Sequence, residues 1–126
     1  RGVMSFKTKE FHKNNKGYVY CCLVSPLESA PYLKIGYSCQ PDQRAEQLES
    51  NSKLSCKLLD VWEAQSQQAA KAMEYEIHQA LKEYSLVGGY WKRESFRRGA
   101  YRSLQEYMLH SGFSRVYKNT KIIIES

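Results

Sequence analysis

The chain has 126 residues, 42% of them hydrophobic and 25% charged, with a formal net charge of +6. That length suits one domain with a real core, and the composition is that of a globular domain and argues against a disordered chain. No apolar run approaches the roughly 20 residues of a membrane span, and the N-terminal stretch has no signal-peptide core, so a cytoplasmic protein without a membrane partner is expected. The positive charge favours a polyanionic partner.

Residues 1–16 are polar and basic, with Lys7, Lys9, Lys13 and Lys16, and read as a flexible tail ending in a turn. Residues 18–25 (YVYCCLVS) are aromatic and β-branched, as a strand requires. Tyr18 and Tyr20 fall on one face of it, and Cys21 and Cys22 on opposite faces. Tyr32 to Tyr37 (YLKIGY) forms a second strand, and the two pair as a hairpin across the Pro26 to Pro31 loop.

Pro41 and Asp42 mark a helix start, with Ala45 and Leu48 on its buried face and Arg44 beside them, and Asn51-Ser52 closes it. Leu54 to Trp62 predicts a third strand with a register change near Leu58-Leu59. Ser66 caps a long helix to about Tyr84, whose stripe is Ala69, Ala70, Met73, Ile77, Ala80, Leu81 and Tyr84.

Gly88-Gly89 breaks that pattern, Tyr90-Trp91 suggests a short strand, and Glu94 to His110 has the period of a third helix, stopped by Gly112. Ile122 to Ile124 predicts a strand or a docked terminus. The order suits an α+β fold, a small antiparallel sheet of three strands covered by helices. The chain divides into the tail over 1–16, a core over 17–97, and a C-terminal helix and tail over 98–126. Cysteines 21, 22, 39 and 56 have neither CxxC nor histidine spacing, and are read as free thiols.

Val19-Tyr20, then Lys34-Ile35-Gly36, then Arg44, then Glu74 with His78 one turn on, stand in an order that resembles the GIY-YIG nuclease superfamily. The likeness is to its short phage and bacterial branch, which carries KIG as the second motif. The resemblance covers roughly residues 17–96. It implies a three-stranded antiparallel sheet flanked by helices, and a metal-dependent endonuclease acting on single- or double-stranded DNA. By that match Tyr20 is the motif tyrosine, Arg44 the phosphate-binding arginine and Glu74 the ligand of Mg²⁺ or Mn²⁺. Tyr18 and His78 are further catalytic candidates. Lysine replaces the second tyrosine. Lys34 can favour the Tyr20 phenolate, making it a base, or bind the phosphate itself. Gly36 keeps the backbone close to substrate or relieves crowding. Gly89-Tyr90-Trp91 stands where that branch has a glutamate-tryptophan-phenylalanine run, and only Trp91 agrees.

Lys92, Arg93, Arg97, Arg98 and Arg102 offer phosphate contacts beside Lys34 and Arg44. The competing reading is a non-catalytic nucleic-acid- or protein-binding module on the same fold. The ten tyrosines give material for a protein interface.

Overall fold

A computed structural model describes residues 16–86 and 94–124. Strand β1 (Tyr18–Ser25) pairs antiparallel with β2 (Tyr32–Ser38) as the predicted hairpin. Helix α1 (Pro41–Ser52) follows, with Pro41 at its first turn and Lys53 closing it in the left-handed conformation at φ 62. Strand β3 (Ser55–Glu63) pairs antiparallel with the other side of β1, and a register shift leaves Leu59 without an opposite residue. The shift lies at the predicted position. A bulge lets one strand serve two apolar faces whose alternation does not otherwise match.

Helix α2 (Gln67–Ala80) starts at Ser66, whose hydroxyl accepts from Ala69 N–H at 3.1 Å. It ends at Ala80, and a 3₁₀ turn over Lys82–Tyr84 replaces its predicted last turn. Its apolar stripe packs as expected except for Ala80, which is exposed.

The sheet has five strands, not three, in the order β4-β2-β1-β3-β5 among the described residues. Strand β4 (Ser95–Phe96) pairs antiparallel with β2, placing Phe96 beside Leu33 and Ser95 beside Lys34. Residues 94–96 therefore leave the predicted third helix, and α3 (Ala100–Leu109) begins only after that pairing. Glu94 to Arg98 tolerate a helix locally, but burying Phe96 against the sheet edge wins. Gly112, at φ 85, turns the chain into β5 (Ser114–Lys118), which pairs antiparallel with β3. Ile122 and Ile124 pack on the core while Ile123 stays exposed, so this segment is a docked terminus and not a strand. The expected strand at Tyr90-Trp91 and most of the basic tail lie outside the described residues.

The sheet buries both faces. Val19, Cys21, Leu33, Ile35 and Leu59 form one core with Ala70 and Ile77 of α2 and Ala100, Leu104 and Met108 of α3. Tyr18, Tyr20, Cys22, Val24 and Val61 form the other with Ala45 and Leu48 of α1. The four cysteines are free, and burial holds the Cys22 thiol up at about 12, so it stays protonated. No described helix is long and apolar enough to cross a membrane.

Candidate active site

The hairpin register sets the centre of the site. Tyr20 lies opposite Gly36, and Lys34 lies opposite Cys22, so Tyr20, Lys34 and Gly36 share the α1 face. The Lys34 ammonium donates to the Tyr20 hydroxyl at 2.9 Å and lies 5.0 Å from the centre of its ring. Both side chains are 1% exposed. A Cβ built on Gly36 would come within 2.7 Å of Tyr20 Oη and 2.9 Å of Lys34 Nζ. Gly36 is thus required by crowding: its missing side chain is the space in which the pair meets.

Lys34 also donates to the carboxylate of Glu94, at the turn just before β4, and forms an ion pair with it. Sequence reasoning placed Glu94 on a helix and gave it no role. One signal was available: Glu94-Ser95-Phe96 keeps the first and third residues of the glutamate-tryptophan-phenylalanine run that had been sought at residues 89–91. The β4 pairing fixes Glu94, because its carbonyl accepts from Ile35 N–H at 3.0 Å.

Glu74 and His78 come from α2 on the other face, and the site lies across the β2–β4 margin. Burial pushes the Glu74 carboxyl up to about 7, and the Glu94 charge adds to the rise against Lys34 and Lys71. His78 Nε2–H donates to the Ile35 carbonyl at 3.0 Å, and its ring lies 5.3 Å from that of Phe96. Burial lowers the His78 pKa, so the imidazole is neutral near neutral pH. The ring therefore locks α2 onto β2 and orients the turn that carries Glu74.

The expected phenolate is not the state of Tyr20. Burial raises its pKa, and this outweighs the opposing pull of the Lys34 ammonium. Burial acts to lower the Lys34 pKa, but the charges of Tyr20 and Glu94 outweigh it and hold it high. Near neutral pH the pair is an ammonium donating to a phenol, whose own proton remains available to donate.

The remaining candidates sit further out. Tyr18 is buried, and its hydroxyl lies 3.5 Å from the Glu63 carboxylate. Arg44 is half-buried on α1, one residue before Ala45, which packs in the core that holds Tyr20. It lines a shallow depression of 190 Å³ with Ser38, Gln40, Gln43 and Gln47. Its guanidinium has no hydrogen-bond or ion-pair partner among the described residues. Arg97 is exposed but engaged, donating to the Glu83 carbonyl at 2.8 Å and lying 5.2 Å from the centre of the Tyr84 ring. Arg98 and Arg102 are exposed. Lys92 and Arg93 lie outside the described residues.

Glu74 fits a hard cation chemically: a half-buried carboxylate beside a second one, in a place where negative charge is not fully neutralised. Among the described residues no group of three or more histidine, cysteine or acidic side chains converges. An ion held here would keep most of its waters, as Mg²⁺ commonly does.

The T5orf172 domain matches residues 17–116, most of the chain, and the protein belongs to that family. This is a domain of phage and bacterial proteins, related to GIY-YIG-like nucleases. No curated protein and no solved structure gives a significant match.

Proposed function

We propose that this protein is a metal-dependent DNA endonuclease that hydrolyses phosphodiester bonds. The observation that carries the reading is the buried Lys34–Tyr20 contact, electrostatically coupled to a half-buried Glu74, in a family related to nucleases. Hydrolysis needs a positioned water, charge complementary to the transition state and a stabilised leaving oxygen.

In this reading the Arg44 guanidinium binds a phosphate oxygen through paired donors, and Lys34 offsets charge that develops on the phosphorus oxygens. The Tyr20 phenol, held by the Lys34 ammonium and not ionised beforehand, positions the attacking water by a hydrogen bond, and the proton that water loses leaves to solvent. Glu74 holds the cation, Mg²⁺ or Mn²⁺, which would supply Lewis-acid polarisation of the phosphoryl group. His78 holds Glu74 in place through α2. Lys92, Arg93, Arg97 and Arg98 extend the phosphate contacts along the nucleic acid.

The test is nicking of supercoiled plasmid and of single-stranded DNA with Mg²⁺, Mn²⁺ or EDTA. Wild type should cut with metal alone, and Glu74→Ala should lose at least about a hundredfold in rate, the scale of one metal contact to the transition state. Metal-independent cutting, or full activity in Glu74→Ala, would sink the assignment. DNA binding without cutting would point to the binding module.

A further inference from the structure

Lys34 is 1% exposed, while the side chain of its partner Glu94 is 36% exposed. From solvent inward the order is therefore Glu94, Lys34, Tyr20. Among the described residues the Glu94 carboxylate stands between the ammonium and solvent. The Gly36 crowding closes the other approach, because the space above that residue is already filled by Tyr20 Oη and Lys34 Nζ. An anion arriving from solvent thus meets a negative charge before it meets the cation.

A phosphodiester oxygen and a carboxylate oxygen make the same demand on an ammonium, a charge-assisted hydrogen bond. We propose that Glu94 occupies, in the DNA-free protein, the position on Lys34 that a substrate phosphodiester oxygen takes, so that DNA binding exchanges one anion for another. This rests on the reading of Lys34 as a phosphate contact. The exchange keeps the ammonium partnered at every stage, which matters because a buried charge without a partner is strongly penalised. It also sets a threshold: only a phosphate delivered in register by the rest of the surface displaces Glu94.

The experiment is binding of a labelled DNA duplex in EDTA over a range of salt, for wild type, Glu94→Ala, Glu94→Gln, Lys34→Met and Glu94→Ala/Lys34→Met. Circular dichroism melting accompanies each variant. Glu94→Ala should bind several-fold tighter, because the phosphate no longer has to displace a carboxylate, while the salt dependence stays that of wild type, since the same phosphates are contacted. The gain should vanish when Lys34 is Met. Glu94→Gln keeps an acceptor without the charge and should fall between; it carries the test if Glu94→Ala does not fold. Equal or weaker binding in the Glu94 variants, or a gain that persists without Lys34, overturns the exchange. A gain without any metal-dependent cutting retains the exchange and defeats the nuclease reading. Cutting without the gain does the reverse, and no binding by any variant defeats both.

Discussion

Among the described residues two charges are buried in this sheet, one on each side of the central strand β1, and they differ in what surrounds them. On β2 the cation Lys34 meets Tyr20 and a half-exposed Glu94 from the β4 margin. On β3 the anion Asp60 accepts from the Tyr101 hydroxyl at 2.6 Å, from Arg115 of β5 at 3.2 Å and from Gln105 at 3.3 Å. Arg115 donates in turn to Gln105. The Asp60 network closes on itself and ties α3 and β5 to the core. Both networks reach solvent through one partner, Glu94 and Arg115 each being 36% exposed, but the Lys34 network is also electrostatically coupled to a further carboxylate, Glu74. A buried charge with saturated partners holds a fold together. One whose counter-ion is coupled to a second, half-buried carboxylate is arranged for exchange.

The sharpest way to break this contrast is Asp60→Ala. It leaves Tyr101 and Gln105 without their acceptor and removes the counter-ion of Arg115. We expect a loss of about 3 kcal/mol in stability by urea unfolding, with metal-dependent nicking unchanged at temperatures where the variant is folded. A loss below about 1 kcal/mol would mean that the network is not structural in the sense argued.

Gly36→Ala acts on the other side. The added methyl must displace the buried Tyr20 ring or the Lys34 ammonium, since it would lie 2.7 Å from Tyr20 Oη. Overpacking of this kind costs about 2 kcal/mol. Unlike Asp60→Ala, it should also abolish nicking, because it parts Lys34 from Tyr20. An active Gly36→Ala enzyme would show that this contact is dispensable.

The two regions were unequally legible in the sequence, for physical reasons. Tyr20 and Lys34 could be brought together on paper because a hairpin has a period of two and a short connection. Glu74 and His78 fall together because they are four apart on a helix with a clear stripe and a Ser66 cap. Even the bulge at Leu59 shows as a break in alternation. Strands β4 and β5 do not show. The first has two residues and exists only because Phe96 finds Leu33 across the sheet edge; the second, SRVYK, has too little apolar contrast to announce itself. Glu94 was lost with β4. The Asp60 partners lie at 101, 105 and 115, separations that no local pattern encodes. The state of Tyr20 was misjudged because burial, which decides it, is a property of the packed fold.

The smallest expected effect separates a strained functional carboxylate from a stabilising one. Glu74 gives up its proton near the ordinary value of 4.5 when unfolded, but at about 7 when folded. Between those values the folded state binds more protons than the unfolded state, so stability falls as pH rises through that window. Wild type carries the whole penalty above about pH 7 and none below about pH 4. Glu74→Gln carries it nowhere. The two proteins should therefore melt alike at low pH, and Glu74→Gln should be more stable by about 1 kcal/mol at pH 8, a figure reduced because Glu74 is partly exposed. Mg²⁺ at pH 8 should raise the melting temperature of wild type and leave Glu74→Gln where it was, closing the gap. A gap that does not change with pH would place Glu74 on an ordinary solvated face, and the site across the β2–β4 margin would lose its metal ligand.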